Sequence, residues 1–153
     1  MSLPPFQQVV ERHAAGVARF LRAQVGPDEA DDCLQETLIA ALRAYPSLRR
    51  GSNVRAWLYT IARNKALDSH RARVRRAVPV DELPERPAVD AAERDDELWA
   101  SVRALPEKQR SAVALRYVGG LSHREIGATI GCSEDAARQN VRVGLQKLRE
   151  ELA

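Results

Sequence analysis

Hydrophobic residues in the first part of the chain recur every three or four positions, the spacing of an amphipathic helix. The first apolar stripe runs from Phe6 to Leu21 and stops at Gly26-Pro27, a dipeptide that ends helices. Asp28 is predicted to lie in the N-cap region of a second helix, which ends at Tyr45-Pro46. The stripe predicted to bury this second helix consists of Leu34, Leu38, Ile39 and Leu42.

A third helix is predicted after a polar loop at residues 46–53. It begins near Val54 and continues into an arginine-rich stretch that ends near Arg76. Three prolines and many acidic residues follow between Ala77 and about Asp90, and this composition predicts a linker. The apolar residues predicted to share one side of the third helix are Trp57, Leu58, Ile61, Ala62 and Leu67.

The helical pattern resumes after the linker. Pro106 opens a further helix, which Gly119-Gly120 terminates. The apolar positions of this pattern are Leu98, Trp99, Val102 and Leu105 before Pro106, and Val113, Leu115, Tyr117 and Val118 after it.

Residues 122–133 have the strongest local signal in the chain. Ser122 and Glu125 form a capping box, in which each side chain satisfies a free amide at the start of a helix. Gly131 can adopt the left-handed backbone that ends this short helix, and Ser133 caps the next one. Residues predicted to be buried are Ile126 and Ile130 on the short helix, and Ala137, Val141, Leu145 and Leu148 on the long one.

Two helices joined by a short glycine-containing turn are the plan of a helix-turn-helix, whose second helix enters the DNA major groove. An αα-hairpin that only packs, with a solvated polar face, is the alternative interpretation. The side chains expected to reach bases and phosphates are Arg138, Gln139, Arg142 and Gln146.

The formal net charge of +3 hides a strong segregation of charge along the chain. Five acidic residues lie within positions 28–36, six basic residues against one acid lie within 63–76, and acids dominate again within 81–97. A basic segment of this kind favours polyanion binding, although a solvated surface has the same composition. Between residues 77 and 97 there are eight acids and two bases, so the acidic linker could fold back on the arginines at 71–76 or act as a spacer.

Composition argues against several classes of function. No apolar run is long enough to span a membrane and residues 1–6 lack a signal-peptide pattern, so we expect a cytoplasmic protein without membrane insertion. Cys33 and Cys132 form no CxxC pair, and the three histidines have no ligand spacing, so neither a disulfide framework nor a metal site is expected. No phosphate-binding glycine loop or nucleophile motif occurs, so an enzyme is the least favoured class and no cofactor is expected.

Three segments resemble the extracytoplasmic-function (ECF) sigma factors of bacterial RNA polymerase. The segments occur in the same order as in that family, and the resemblance covers nearly the whole chain. DEADDCLQET (28–37) resembles the family's polymerase-docking helix, and NVRAWLYTIARNKALD (53–68) resembles its promoter-melting helix. LPEKQR (105–110) through LRYVGGLS (115–122) resembles the start of its second domain. The resemblance implies an all-α fold of two small helical domains, residues 1–76 (region 2) and 95–153 (region 4), joined by an acidic, proline-containing linker at 77–94.

The resemblance also implies partners and roles. The implied partners are core RNA polymerase and promoter DNA, with an anti-sigma factor as a further candidate. The residues to which the resemblance assigns docking to polymerase are Asp31, Asp32, Gln35 and Glu36. The residues to which the resemblance assigns opening and binding of the −10 element are Leu48, Ser52, Asn53, Arg63, Asn64, Lys65, Arg71 and Arg73. The helix-turn-helix residues would bind the −35 element, while Trp57 matches a core position.

Two departures from the family pattern concern the recognition helix. Asn140 and Val143 stand where the family often has arginine or lysine, and Ala137 stands where it often has valine. These departures weaken inferences about the upstream promoter sequence but leave the helix-turn-helix intact. An ordinary helix-turn-helix repressor would leave residues 28–76 unexplained, and a sigma-like decoy for an anti-sigma factor is disfavoured by the docking acids and Asn64.

Overall fold

The computed structural model describes residues 3–76 and 90–153, and within them every regular element is helical. Residues 77–89 of the predicted linker, and the contacts suggested for the acids there, lie outside the described residues. None of the described helices is long and apolar enough to cross a membrane. The helices are α1 (Phe6–Val25), α2 (Pro27–Ala44), a 3-10 turn (Tyr45–Ser47), α3 (Val54–Arg75), α4 (Asp90–Arg103), α5 (Glu107–Tyr117), α6 (His123–Ile130) and α7 (Glu134–Leu152).

A single glycine connects α1 to α2. Gly26 has φ +86°, a left-handed value that favours glycine, and Pro27 is the first residue of α2. The Gly26 N–H donates to the Arg22 carbonyl at 3.0 Å, and its own carbonyl accepts from the Ala30 N–H at 3.2 Å. The prediction that Asp28 lies in the N-cap region is therefore wrong, because proline at the first helical position starts the helix earlier.

The buried stripe of α2 differs from the predicted one. Its buried residues are Ala30, Cys33, Thr37 and Ala41, whereas Ile39 is 50% and Leu42 56% exposed. Leu34 and Leu38 are half-buried. Small residues line the packed side because they allow α1 and α3 to approach α2 closely, so the largest aliphatic side chains on this helix do not mark its core face.

The N-terminal core lies between α1, α2 and α3. Phe20 and Leu21 on α1 and Leu58 and Ala62 on α3 are completely buried. The Phe20 and Tyr59 rings meet edge to face with centroids 5.5 Å apart. Trp57 is half-buried, with its ring centroid 6.0 Å from that of Tyr45, which agrees with a packing role. Of the other predicted α3 positions, Ile61 and Leu67 are half-buried.

The C-terminal helices α5, α6 and α7 pack around a second part of the same hydrophobic cluster. Leu115, Leu121 and Ile126 are completely buried. Tyr117 is 64% exposed and Leu98 37% exposed, although both belong to the apolar helical pattern. Tyr117 is the last residue of α5, where an apolar residue can follow the periodicity without a neighbour to cover it.

The two halves of the described structure are in direct contact, with α1 against α4 and α5, and α3 against α6. In this interface the Arg110 Nε donates to Gln24 Oε1 at 2.8 Å, and both side chains are buried. Arg103 Nη1 donates to the Arg22 carbonyl at 3.3 Å. The faces of α3 and α6 are therefore adjacent, and this arrangement decides which predicted site residues are accessible.

Candidate polymerase and nucleic-acid interfaces

The residues predicted to dock polymerase form one open surface on α2. Asp31, Asp32, Gln35 and Glu36 are all exposed, and their spacing places them along one side of the helix. No other helix of the described chain covers them. This surface can therefore present negative charge and hydrogen-bond acceptors to a basic partner.

The two exposed aliphatic residues of α2 extend the same surface, and sequence analysis missed them. Ile39 and Leu42 follow Gln35 at intervals of four and three residues, so they continue its stripe. An apolar patch beside an acidic surface is typical of a protein interface. The small residues on the opposite side of α2 are the signal that could have revealed it, since they form an equally regular stripe.

A cavity of about 460 Å³ lies between α2 and the end of α3, next to the docking surface. Asp32 and Glu36 line one side of it, and Arg75 and Arg76 line the other. Cys33 also borders it; burial raises the pKa of its thiol, and the nearby carboxylates of Glu36 and Glu29 raise it further against a hydrogen bond with Ser69. The thiol therefore stays protonated and unreactive at neutral pH.

The loop before α3 and the start of α3 form a second cavity, of about 580 Å³. Ser52 and Asn53 line it, and Asn53 also caps α3 by accepting from the Ala56 N–H at 3.1 Å. Arg12 and His13 of α1 line its other side, and only the tertiary structure places them there. Leu48, predicted for the same pocket, is half-buried and is not among the residues that line this cavity.

Two arginines and a histidine, Arg12, Arg55 and His13, line this cavity. Burial lowers the pKa of His13, and the positive charges of Arg12 and Arg55 lower it further. The imidazole is therefore neutral at neutral pH. The pocket presents cations, one neutral ring and the Asn53 amide, a combination that suits a nucleotide with its phosphate.

The predicted strand-binding residues on α3 fall into three groups. Asn64 is exposed and Lys65 half-buried, so both are accessible. Arg63 is only 9% exposed and lies against α5 and α6. The remaining two are exposed but paired: Arg71 Nη1 lies 3.8 Å from Asp68 Oδ1, and Arg73 Nε lies 2.6 Å from Glu29 Oε1.

The helix-turn-helix has the predicted local structure. The Ser122 side chain accepts from the Glu125 N–H at 3.1 Å, and the Glu125 carboxylate accepts from the Ser122 N–H at 2.8 Å. Gly131 ends α6 with φ +78°, and the Ser133 side chain accepts from the Ala136 N–H at 3.0 Å to start α7. The predicted buried residues of the two helices are confirmed, with Leu145 partly buried.

A close approach within this motif depends on Gly127. A Cβ at this position would lie 2.6 Å from the carbonyl oxygen of Cys132 and 3.1 Å from that of Ser133. Both are backbone atoms, which cannot rotate away as a side chain could. Gly127 therefore allows α6 to contact the turn that positions α7.

The outer face of α7 has all four predicted DNA contacts exposed. Arg142 Nη2 donates to Gln139 Oε1 at 2.7 Å, an arrangement that holds both side chains on one surface. Arg138 instead lies 2.9 Å from Asp135 and 3.5 Å from Glu134. Asn140, one of the departures from the family pattern, donates to the Ala136 carbonyl of its own helix at 3.0 Å. The exposed face therefore consists of arginine and glutamine, residue types that contact base edges and phosphates.

Comparisons with known proteins agree with this arrangement. The sequence matches Sigma-70 region 2 over residues 9–76 and Sigma-70 region 4 over residues 95–148. It is 38% identical over 161 residues to the ECF RNA polymerase sigma factor SigD of Mycobacterium tuberculosis, covering 95% of this chain and 76% of SigD. It is 35% identical over 154 residues to the RNA polymerase sigma factor CarQ of Myxococcus xanthus, covering 95% of this chain and 87% of CarQ.

Two solved structures have similar folds. One is the sigma factor RpoE of Bartonella quintana in complex with the anti-sigma factor NepR, with a TM-score of 0.81 and 26% identity over 96% of each chain. The other is CnrH in complex with the cytosolic domain of CnrY, with a TM-score of 0.77 and 26% identity over 96% of this chain and 86% of CnrH. The match to Sigma-70 regions 2 and 4, in that order along the chain, together with these relatives, shows that this chain belongs to the ECF sigma factors of RNA polymerase, which direct promoter-specific initiation of transcription.

Proposed function

We propose that this sigma factor divides its work between its two halves. Residues 1–76 bind core RNA polymerase and open the −10 element, residues 95–153 bind the −35 element as duplex, and residues 77–94 connect them. The observation that supports this division most directly is the order of the two Sigma-70 regions along one chain.

Docking to polymerase uses the exposed face of α2. Asp31, Asp32, Gln35 and Glu36 contact a basic surface of the polymerase, and the aliphatic pair Ile39 and Leu42 contributes apolar contact beside them. Exposure of all six side chains supports this role. Charge complementarity would speed association and set orientation, while burial of the aliphatic pair would add affinity.

Opening of the −10 element uses the loop before α3 and the outer side of α3. A base that leaves the stack costs a few kcal/mol, which a protein pocket must offset. The cavity at the start of α3, with Ser52 and Asn53, provides such a pocket, and Leu48 belongs to the same loop. Asn64 contacts a base edge, and the strand backbone is held by Arg63, Lys65, Arg71 and Arg73.

Binding of the −35 element uses the exposed face of α7. Arg138, Gln139, Arg142 and Gln146 enter the major groove, where glutamine suits adenine and arginine suits guanine or a phosphate. The rigid cap at Ser133 and the close approach at Gly127 hold this face in a fixed orientation.

The partners of this chain are core polymerase, promoter DNA and an anti-sigma factor. The last is proposed because two structurally similar sigma factors were solved with one bound. The chain is an initiation factor without catalysis of its own, and it acts in the cytoplasm, where polymerase and chromosome are.

The test is run-off transcription with core polymerase on a library of promoter fragments. Wild type should give promoter-specific transcripts. The Asp32→Lys, Glu36→Lys double variant should give none and should not co-elute with core polymerase, because it reverses the docking charge. The matched control, Glu150→Lys with Glu151→Lys, makes the same charge change on exposed residues at the end of α7 and should retain polymerase binding. Co-elution of the α2 variant at the wild-type level would contradict the docking role.

A further inference from the structure

The exposed face of α7 contains two hydrogen-bonded pairs with the same spacing, an acceptor followed three residues later by an arginine. In the first pair, Arg138 Nη1 donates to Asp135 Oδ1 at 2.9 Å. In the second, Arg142 Nη2 donates to Gln139 Oε1 at 2.7 Å. Residues three apart are neighbours on a helix surface, so each acceptor influences where its arginine lies.

The two acceptors differ in charge, and this difference distinguishes the two arginines. The Arg138 guanidinium also lies 3.5 Å from Glu134, so two carboxylates offset its positive charge. The Gln139 amide carries no charge, and within the described residues no carboxylate forms an ion pair with Arg142. Gln139 therefore holds the Arg142 side chain without offsetting the charge that attracts it to DNA.

The bond between Gln139 and Arg142 determines which donors and acceptors remain for DNA. The Gln139 amide nitrogen donates to no group among the described residues, so its NH₂ is available. The Gln139 oxygen has one lone pair occupied by Arg142, and the guanidinium lies beside the other. The guanidinium itself has five N–H groups, one of which bonds Gln139. The pair therefore presents mainly donors.

Guanine and adenine differ in what they present to such a pair in the major groove. Guanine has two acceptors, N7 and O6, whereas adenine has the N7 acceptor and the N6 amino donor. A glutamine that binds adenine donates to N7 and accepts from the amino group through its oxygen. With Arg142 beside that oxygen, the adenine amino group would meet a positively charged donor, whereas the O6 of guanine would accept from it.

We propose that Gln139 is a positioning residue that holds Arg142 for a guanine in the −35 element, so that the pair selects guanine over adenine at that base pair. This role rests on the proposed duplex-binding function of α7. Two N–H groups of the guanidinium bond N7 and O6 of the guanine, and the two that remain can contact a phosphate. Because Arg142 is already held in the free protein, it loses less side-chain freedom when it binds DNA.

The first experiment compares two substitutions of the exposed Gln139. Gln139→Glu keeps an oxygen acceptor for Arg142 but has no NH₂ group, and Gln139→Met has similar length without either group. The full chain, assembled with core polymerase, is bound to duplex −35 fragments selected from a random library, and each position is then changed to all four bases. The position that Arg142 contacts is the one at which Arg142→Met changes the base preference.

At that position, wild type should bind guanine about tenfold more tightly than adenine, the discrimination of one bidentate contact. Gln139→Glu should keep this ratio, because the carboxylate still positions Arg142, whereas Gln139→Met should reduce it towards one. A glutamine that contacted the base directly would lose the preference equally in both variants. An adenine preference in wild type, an equal loss in both variants, or an unchanged ratio in Gln139→Met would overturn the proposal.

The matched control is Gln146→Met, the same substitution on the same exposed face of α7. The Gln146 side chain makes no hydrogen bond with the described residues, so it does not hold Arg142. The control should keep the wild-type ratio of guanine to adenine affinity at the Arg142 position. A reduction as large as that in Gln139→Met would overturn the proposal, because the effect would not depend on the bond to Arg142.

The second experiment is a double-mutant cycle on the guanine fragment. If Gln139 acts through Arg142, the Gln139→Met, Arg142→Met double variant should bind as tightly as Arg142→Met alone. Losses that add in the double variant would indicate two independent contacts and would overturn the positioning role.

Failure of the inference is distinguishable from failure of the proposed function. If Arg142→Met weakens binding of all fragments equally, Arg142 contacts only phosphate, and the inference is overturned while duplex binding by α7 stands. If substitution of each of the four proposed contacts on α7 leaves duplex binding at the wild-type level, the −35 function is overturned and the inference with it.

Discussion

The two surfaces proposed to bind DNA differ in how the rest of the chain treats them. On α7 the four predicted side chains are all exposed. On α3, Arg63 is buried against α5 and α6 while Asn64, the next residue, is exposed. The comparison shows that neighbouring positions in one motif can differ completely in accessibility once a second domain packs on the helix.

The difference has a structural cause. The outer face of α7 is positioned by hydrogen bonds within residues 122–136, and no described helix packs over it. The face of α3 instead contacts residues more than 40 positions away in sequence, such as Glu107 and Thr129. A surface that local hydrogen bonds position stays exposed in any arrangement of the two domains. A surface that distant elements contact becomes exposed only when those elements move away.

The largest expected effect is a loss of stability on substitution of Gly127, the residue that allows α6 to contact the turn before α7. Gly127→Ala places a methyl group against two backbone carbonyls, and we expect a loss of about 1–3 kcal/mol in the free energy of unfolding. Urea denaturation measures this loss. The matched control is Gly131→Asn in the same turn, where nothing lies within 4 Å and asparagine tolerates a positive φ. An unfolding midpoint equally low in the control would show that backbone conformation, not crowding, matters at this turn.

The next effect separates the two DNA surfaces. Asn64→Ala should lower open-complex formation about tenfold, because it removes the hydrogen bond that we propose to a base held outside the stack. It should leave duplex binding unchanged, because Asn64 lies on α3 and not on the helix-turn-helix. Permanganate footprinting measures opening, and gel-shift titration measures duplex binding. Normal permanganate reactivity in this variant would contradict a role for Asn64 in binding the opened strand.

A smaller effect distinguishes two arginines on α7. Arg142→Ala should weaken duplex binding and reduce the slope of log affinity against log salt by about one unit, the value for one phosphate contact. Arg138→Ala should reduce both less, because Arg138 must first leave Asp135 and Glu134. Salt titrations of the two variants test this order, and a larger loss in Arg138→Ala would reverse it.

The smallest effect is a pH dependence of the packing between α3 and α6. Burial raises the pKa of Glu125, but hydrogen bonds from Ser122 and Asn53 and the charge of Arg55 outweigh it. Because the pKa is therefore lower in the folded protein, the stabilising contribution of Glu125 is present above the ordinary value of 4.5 and is lost as the pH falls through the folded value. For a partly exposed contact we expect under about 1 kcal/mol. Urea unfolding of wild type and Glu125→Gln at pH 6 and at pH 3.5 measures it. The difference in stability between the two proteins should shrink in acid, and a constant difference would contradict the role of the charge.

Much of the fold followed from local patterns in the sequence. The ends of α1 and α6, the capping box and the cap at Ser133 depend on residues a few positions apart, so their physics is contained in short segments. For the same reason the exposure of the α7 face was predictable, because its buried side is marked by a regular apolar stripe. The resemblance to sigma factors also came from contiguous segments.

Other features required the tertiary structure. The sequence alone placed Leu42 in the core of α2, but the small side chains of Ala30, Cys33 and Ala41 pack there, because the separation of helices decides which side chains fit between them. Likewise, nothing near Arg63 in sequence indicates that Glu107 and Ser111 would enclose it. Local hydrogen bonds and periodicity thus determined the helices and the helix-turn-helix. Contacts between distant segments, which depend on shape and charge across an interface, decided which functional residues are covered.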